Sequence, residues 1–249
     1  MSAVGFSCGG VLRSSWAVRA LYGWMLACIL MACVPAHGAE LQPGTMQARV
    51  AACTACHGAQ GRAGNDGYYP RLAGKPQEYL YQQLLHFRDG SRRYGPMTHL
   101  LTGLPDAYLQ EMAGWFASQH LPYPAPPRSA ASSSQLERGR LLATEGDAAR
   151  GLPACAACHG AALSGALPAI PGLLGLPQDY LVSQLGSWQG GLRHSRAPDC
   201  MADVARALTP SDLAAVTAWL SAQPVPEPYA PLAPGALKLP AACGSQVQE

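Results

Sequence analysis

The 249-residue sequence is poor in charge: Asp, Glu, Lys and Arg together make up 13% of it. It has no polybasic run, so nucleic-acid binding finds no support. Runs rich in Val and Ile are missing too, and no convincing strand can be read. What is plentiful is Gly and Pro, at 27 and 22 residues, which favours short helices joined by ordered loops. Aliphatic and aromatic content suffices for a folded core, which argues against wholesale disorder. The length allows one or two domains.

Residues 1–39 read as an export signal. Arg13 and Arg19 form a basic start, and Leu21 to Val34 is apolar but too short to span a bilayer comfortably. Small residues follow at Ala36, Gly38 and Ala39, where cleavage is expected. An uncleaved membrane anchor is one alternative. Lipid attachment at Cys33 is another, since Leu30-Met31-Ala32-Cys33 loosely resembles a lipidation box. All three readings place the folded part outside the cytoplasm. The precursor has 17 basic and 15 acidic residues, and the signal holds two Arg and no acid, so the mature chain is formally neutral.

Nine cysteines then sort themselves. Three lie in the signal, and four form two Cys-x-x-Cys-His runs: Cys53, Cys56 and His57, then Cys155, Cys158 and His159, 102 residues on. This is the attachment pattern of c-type haem. Two thiols so spaced can each add to one porphyrin vinyl group, and the His that follows is held under the iron. Zinc sites place their second Cys pair much nearer, and a thioredoxin-like pair needs a preceding strand. A disulfide between Cys53 and Cys56 would leave the repeated His unexplained. The expected cofactors are two covalently bound haem c groups.

The flanks repeat as well. Pro70-Arg71-Leu72 is echoed by Pro171-Gly172-Leu173, Tyr79-Leu80 by Tyr180-Leu181, Gln83-Leu84 by Gln184-Leu185, and Trp115 by Trp219. The offset drifts only from 101 to 104, the mark of a duplicated domain. The expected parts are a first domain over 40–120, a Pro/Ser-rich linker over 121–134, a second domain over 135–223 and a Pro-rich tail over 224–249. Each copy reads as helical, giving an all-α fold. Pro76 and Pro177 suit a helix's first turn, and Gly90 and Gly191 its end. Thr209-Pro210-Ser211-Asp212 has the form of a capping box.

The sixth iron ligand separates electron transfer from catalysis. Met201 is the only Met after His159, and Met97 sits at the matching place in copy one, in the loop before the last helix. Met97 and Met201 are therefore the expected ligands, 40 and 42 residues after their His, while Met112 reads as core. His99 and His194 are rivals that do not align with each other. The carbonyls of Pro70 and Pro171 are candidates to fix the ligating rings, with Leu72 and Leu173 packed on them. Arg71, Arg92, Arg93 and Arg193 are either partners for haem propionates or simply solvated. Cys200 and Cys243 are left as an even pair in an oxidising compartment, and a disulfide between them would pin the tail to domain two.

In this order, given twice, the motifs resemble the di-haem cytochrome c4 family over nearly all of residues 45–223. The resemblance implies two class I cytochrome c domains about a pseudo-twofold axis. It also implies a periplasmic carrier, loosely membrane-associated, taking electrons from a cytochrome bc-type donor towards a terminal oxidase. The tail and Cys200 lie outside that pattern. One alternative is an oxidoreductase of the thiosulfate dehydrogenase type, in which Cys200 would ligate iron. Another is the cytochrome subunit of a periplasmic dehydrogenase.

Overall fold

In the computed structural model, residues 44–64 and 67–246 are described. The export signal, its cleavage region and Cys33 lie outside the described residues. Among the described residues the fold is helical, with only isolated two-residue bridges in place of a sheet.

Copy one contains α1 (Met46–Arg49), α2 (Ala51–His57), α3 (Gln77–Asp89), α4 (Gly95–Leu101) and α5 (Asp106–Ala117). Copy two contains α6 (Ser133–Thr144), α7 (Cys155–His159), α8 (Gln178–Gln189), α9 (Cys200–Ala207) and α10 (Pro210–Ala222). Pro76 and Pro177 lie one residue earlier than expected, as the N-caps of α3 and α8. Their backbones are extended and their carbonyls accept from Leu80 N and Leu181 N at 3.0 and 3.1 Å. Gly90 ends α3 in the left-handed region, whereas α8 stops at Gly190, with Gly191 one place beyond. The capping box forms at Thr209 and Asp212, as the motif predicts.

Two expectations change. Met97 and Met201 do not sit in loops: each lies in the first turn of a short helix, α4 and α9. Pro96 and the Asp199 side chain start those turns, the one by its fixed φ and the other by accepting from Ala202 N. The linker is also shorter than read, because α6 begins at Ser133, capped by the Ser132 hydroxyl accepting from Gln135 N. Within the linker, Tyr123 lies between Arg71, 4.0 Å from its ring, and Tyr229, edge-on at 5.4 Å.

Each copy has its own core. In copy one, α5 packs on α3, burying Leu80, Leu109, Met112 and Phe116 with Val50. A fully buried Leu such as Leu109 contributes roughly 1.5–3 kcal/mol. In copy two, α10 crosses α6 so closely at Gly139 that any Cβ there would overlap the Ala215 carbonyl. The tail is part of this packing. Tyr229 donates to Leu163 O at 2.7 Å and accepts from Leu174 N at 2.9 Å. Leu232 exchanges backbone bonds with Gly165 and Leu167, both at 2.9 Å. Farther on, a disulfide joins Cys243 to Cys200, with 5.1 Å between Cα atoms. The described residues belong to one compact unit, and none of the described helices is long and apolar enough to cross a membrane.

Candidate functional site

Each Cys-x-x-Cys-His run forms a short helix ended by a glycine with positive φ, Gly58 at +73° and Gly160 at +80°. Glycine is needed there. A Cβ on Gly58 would overlap the Ala63 carbonyl oxygen, and the left-handed backbone strains any other residue. The loop that follows closes with the same backbone bond in both copies, Ala63 N and Gly165 N donating to the carbonyls of His57 and His159, each at 2.8 Å. This turn brings Pro70 and Pro171 over the imidazoles. His57 Nδ1 donates to Pro70 O at 2.9 Å, and His159 Nδ1 to Pro171 O at 2.8 Å. A carbonyl can only accept, so it fixes the tautomer and leaves Nε2 with its lone pair. Burial holds the His159 imidazole below its ordinary value, which keeps it neutral near pH 7.

Each imidazole borders its own cavity. Cys53, Cys56, His57, Pro70, Leu72 and Met97 line one of about 370 Å³. Cys155, Cys158, His159, Pro171, Leu173 and Met201 line the other, of about 340 Å³. The structure thus gathers each predicted set and keeps the two sets apart, so the four thiols do not converge on one zinc site. None of the four is in a disulfide. Burial raises the thiols of Cys53 and Cys158 and pushes Cys155 up to about 11, so they are poor thiolate nucleophiles.

The rival ligands fare differently. His99 is exposed and lies off the cavity. His194 borders cavity two but binds Gly191 O through Nε2 at 2.9 Å. Met112 is buried in core one and also touches cavity one. Cys200 is in the disulfide with Cys243, beside Met201.

These linings fit a covalently held porphyrin. Both are mostly aliphatic and aromatic, with a thiol pair, an oriented imidazole and a thioether. The indole Nε1 of Trp188, which borders cavity two, is buried with no hydrogen-bond partner among the described residues. A buried donor without an acceptor costs about 1–3 kcal/mol, and a bound acidic group would relieve it.

Between the cavities stands a polar wall that sequence reasoning did not assemble. Arg92 donates to Gln83 Oε1 at 2.9 Å and to Gln184 Oε1. Arg193 donates to Gln184 Oε1 at 2.9 Å and to Gln83 Oε1 at 2.8 Å. Each guanidinium also stacks on an aromatic ring of its own copy, Arg92 on Phe87 at 4.4 Å and Arg193 on Trp188 at 3.7 Å. Backbone bonds from Arg93 N to Leu192 O and from His194 N to Ser91 O hold the same seam. Tyr79 is drawn down to about 8: burial opposes ionisation, but Arg193, Arg92 and Lys75 outweigh it. Arg71 is instead committed to the linker, donating to the carbonyls of Leu121 and Pro122 and to Ala73 O, and Arg93 is exposed. The signal that could have found the wall was Gln83/Gln184 and Tyr79/Tyr180: polar side chains kept in both copies.

Comparison with known proteins bears on the same residues. Residues 42–119 match the Cytochrome c family model. The chain is 36% identical over 176 residues to the cytochrome c4 of Pseudomonas aeruginosa, covering 70% of this chain and 85% of that one. It is also 36% identical over 176 residues to the thiosulfate dehydrogenase electron acceptor of Thiomonas intermedia, covering 70% and 80%. Among solved structures, reduced recombinant cytochrome c4 from Pseudomonas stutzeri is similar at a TM-score of 0.62 and 30% identity, covering 71% of this chain and 96% of that one. Thiosulfate dehydrogenase (TsdBA) from Marichromatium purpuratum gives 0.63 and 32%, covering 70% and 36%.

Proposed function

The chain belongs to the cytochrome c4 family of electron carriers with two covalently bound haem c groups, and from that premise we propose how this sequence holds and uses them. Cys53 and Cys56 would anchor one haem and Cys155 and Cys158 the other, and His57 with Met97, then His159 with Met201, would ligate the two irons. When bound, the haem supplies reversible one-electron chemistry at iron. The chain's part is to hold it still. The carbonyls of Pro70 and Pro171 lock each imidazole, and Leu72 and Leu173 border each cavity. A thioether and an imidazole as the two protein ligands would raise the potential and leave no iron site for a substrate.

We read the protein as a periplasmic carrier, loosely membrane-associated, moving electrons from a cytochrome bc-type donor towards a terminal oxidase. The observation that carries this reading is the doubled site: two sets of Cys pair, oriented His and Met, back to back across one polar wall. A second reading is supported by the relatives whose names give them as thiosulfate dehydrogenase electron acceptors: the donor is then a separate thiosulfate dehydrogenase. Against an enzyme acting on thiosulfate itself stands Cys200, whose sulfur is bonded to Cys243 rather than available to iron. Rapid mixing separates these. The reduced holoprotein should be reoxidised by a terminal oxidase, and thiosulfate should reduce it only when a thiosulfate dehydrogenase is added. Reduction by thiosulfate alone, with turnover, would establish the enzyme reading instead.

A further inference from the structure

Five residues border both cavities: Lys75, Tyr79, Gln83, Tyr180 and Gln184. Four of them are two pairs from the repeat, Tyr79 with Tyr180 and Gln83 with Gln184. The fifth has no such partner. Lys75 aligns with Leu176, so one copy puts a cation where the other puts a buried leucine. The wall is therefore symmetric in shape and hydrogen bonding but carries one odd charge.

Among the described residues no acid answers that charge. Arg92 and Arg193 are tied to the Gln83 and Gln184 amide oxygens, which are neutral. The aromatic contact of the Lys75 ammonium is the Tyr79 ring, 6.0 Å away, and no described carboxylate forms an ion pair with it. Burial and the neighbouring Arg71, Arg92 and Arg193 all disfavour its charged form. Tyr79 alone favours it. A cation placed at such cost against two apolar cavities is matched once each cavity holds a haem, whose propionates are acids.

We propose that Lys75 is a potential-setting residue shared by both haems, its ammonium raising the two midpoints together. The inference rests on the two-haem reading above. The physical reason is Coulomb's law: a fixed positive charge favours the iron state with less positive charge, and it acts on both sites because it borders both. The axial methionines, each confined to one cavity, have no such reach.

The test is a spectroelectrochemical titration of full-length holoprotein carrying Lys75→Gln, with Lys75→Met as an uncharged variant of similar length and Lys75→Arg as the conservative one. In the Gln and Met variants both midpoints should fall. At a fixed applied potential the reduced-to-oxidised ratio should drop roughly three- to tenfold at each haem, the size of a partly screened charge. The Arg variant should restore both. Haem count and the two Met–iron bands report separately on the ligand assignment. If both are intact while neither midpoint moves, or only one does, the role of Lys75 is overturned and the two-haem reading stands.

Discussion

The two copies agree around the predicted iron sites and across the wall between them, and differ most in what reinforces each copy. The shared parts are the thiol pair, the glycine turn, the imidazole on a proline carbonyl, and a methionine in the first turn of a short helix. Outside these, copy two is the more reinforced. Its last helix begins with a capping box whose Asp212 also binds Arg138 and Arg150 at 2.9 and 2.8 Å. Copy one starts the equivalent helix at Pro105 with no side-chain cap, and Arg88–Asp106 and Arg49–Glu111 are more exposed pairs. Cavity two is also bordered by residues 239–243 of the tail, clamped by the disulfide and by Gln82 donating to Ser245 O at 3.2 Å. The difference teaches which features the ligand chemistry demands and which a duplicated frame is free to change.

The comparison breaks most visibly at the methionines. Met97→Ala should remove the thioether band and lower the potential of haem one only, and Met201→Ala should do the same for haem two. Each variant is expected to lose about half of the far-red Met–iron(III) absorbance. If one substitution moved both midpoints equally, the two sites would not be separate in the way their linings indicate.

A second test removes a reinforcement that copy one lacks. Cys200 and Cys243 close a 43-residue separation, and opening such a loop costs up to about 4 kcal/mol by chain entropy. The Cys200→Ser/Cys243→Ser double variant should unfold at clearly lower denaturant. Its Met201–iron band should bleach before that of Met97, because Met201 adjoins the cleaved bridge. Simultaneous bleaching would show that the clamp serves the whole unit.

Next comes the capping network. Asp212→Ala loses a cap and leaves two guanidiniums short of an acceptor, a cost of about 2 kcal/mol in copy two. The Asp212 carboxyl is held at about 2: burial opposes ionisation, but bonds from Thr209, Arg150 and Arg138 outweigh it. A depressed folded value means that this contribution is complete above the ordinary 3.8 and is lost as pH falls towards 2. Acid titration of the wild type should therefore lose stability in that window, and the Ala variant should show a smaller loss there.

The smallest expected effect sharpens the symmetry. Trp188→Phe copies Phe87 of the other half and removes the indole N–H that lacks an acceptor among the described residues. A modest shift of the haem two midpoint, with haem one unmoved, is expected. No shift at either haem would mean that the N–H does not serve the bound group.

How much of this was legible in the residues follows from distance along the chain. Local patterns read well: the Cys-x-x-Cys-His helices, the capping box at Thr209 and the stop at Gly90 each depend on neighbours within a turn. The helices holding Met97 and Met201 were missed because Gly95-Pro96 and Pro198-Asp199 look like loop chemistry, yet Pro and Asp also open helices. Ser132 reads as linker for the same reason, since serine suits both a flexible tether and an N-cap. Pairings such as Arg92 with Gln184, 92 positions apart, leave no local trace. The docking of Tyr229 on Leu163 and Leu174 is of that kind too.

The most direct check of the central claim is a resolved redox titration of the purified protein, which counts haems and reports their ligands at once. Two covalent haems with two midpoints, each keeping its Met–iron(III) band when oxidised, are the predicted result. A single haem, or an oxidised spectrum without those bands, would contradict it.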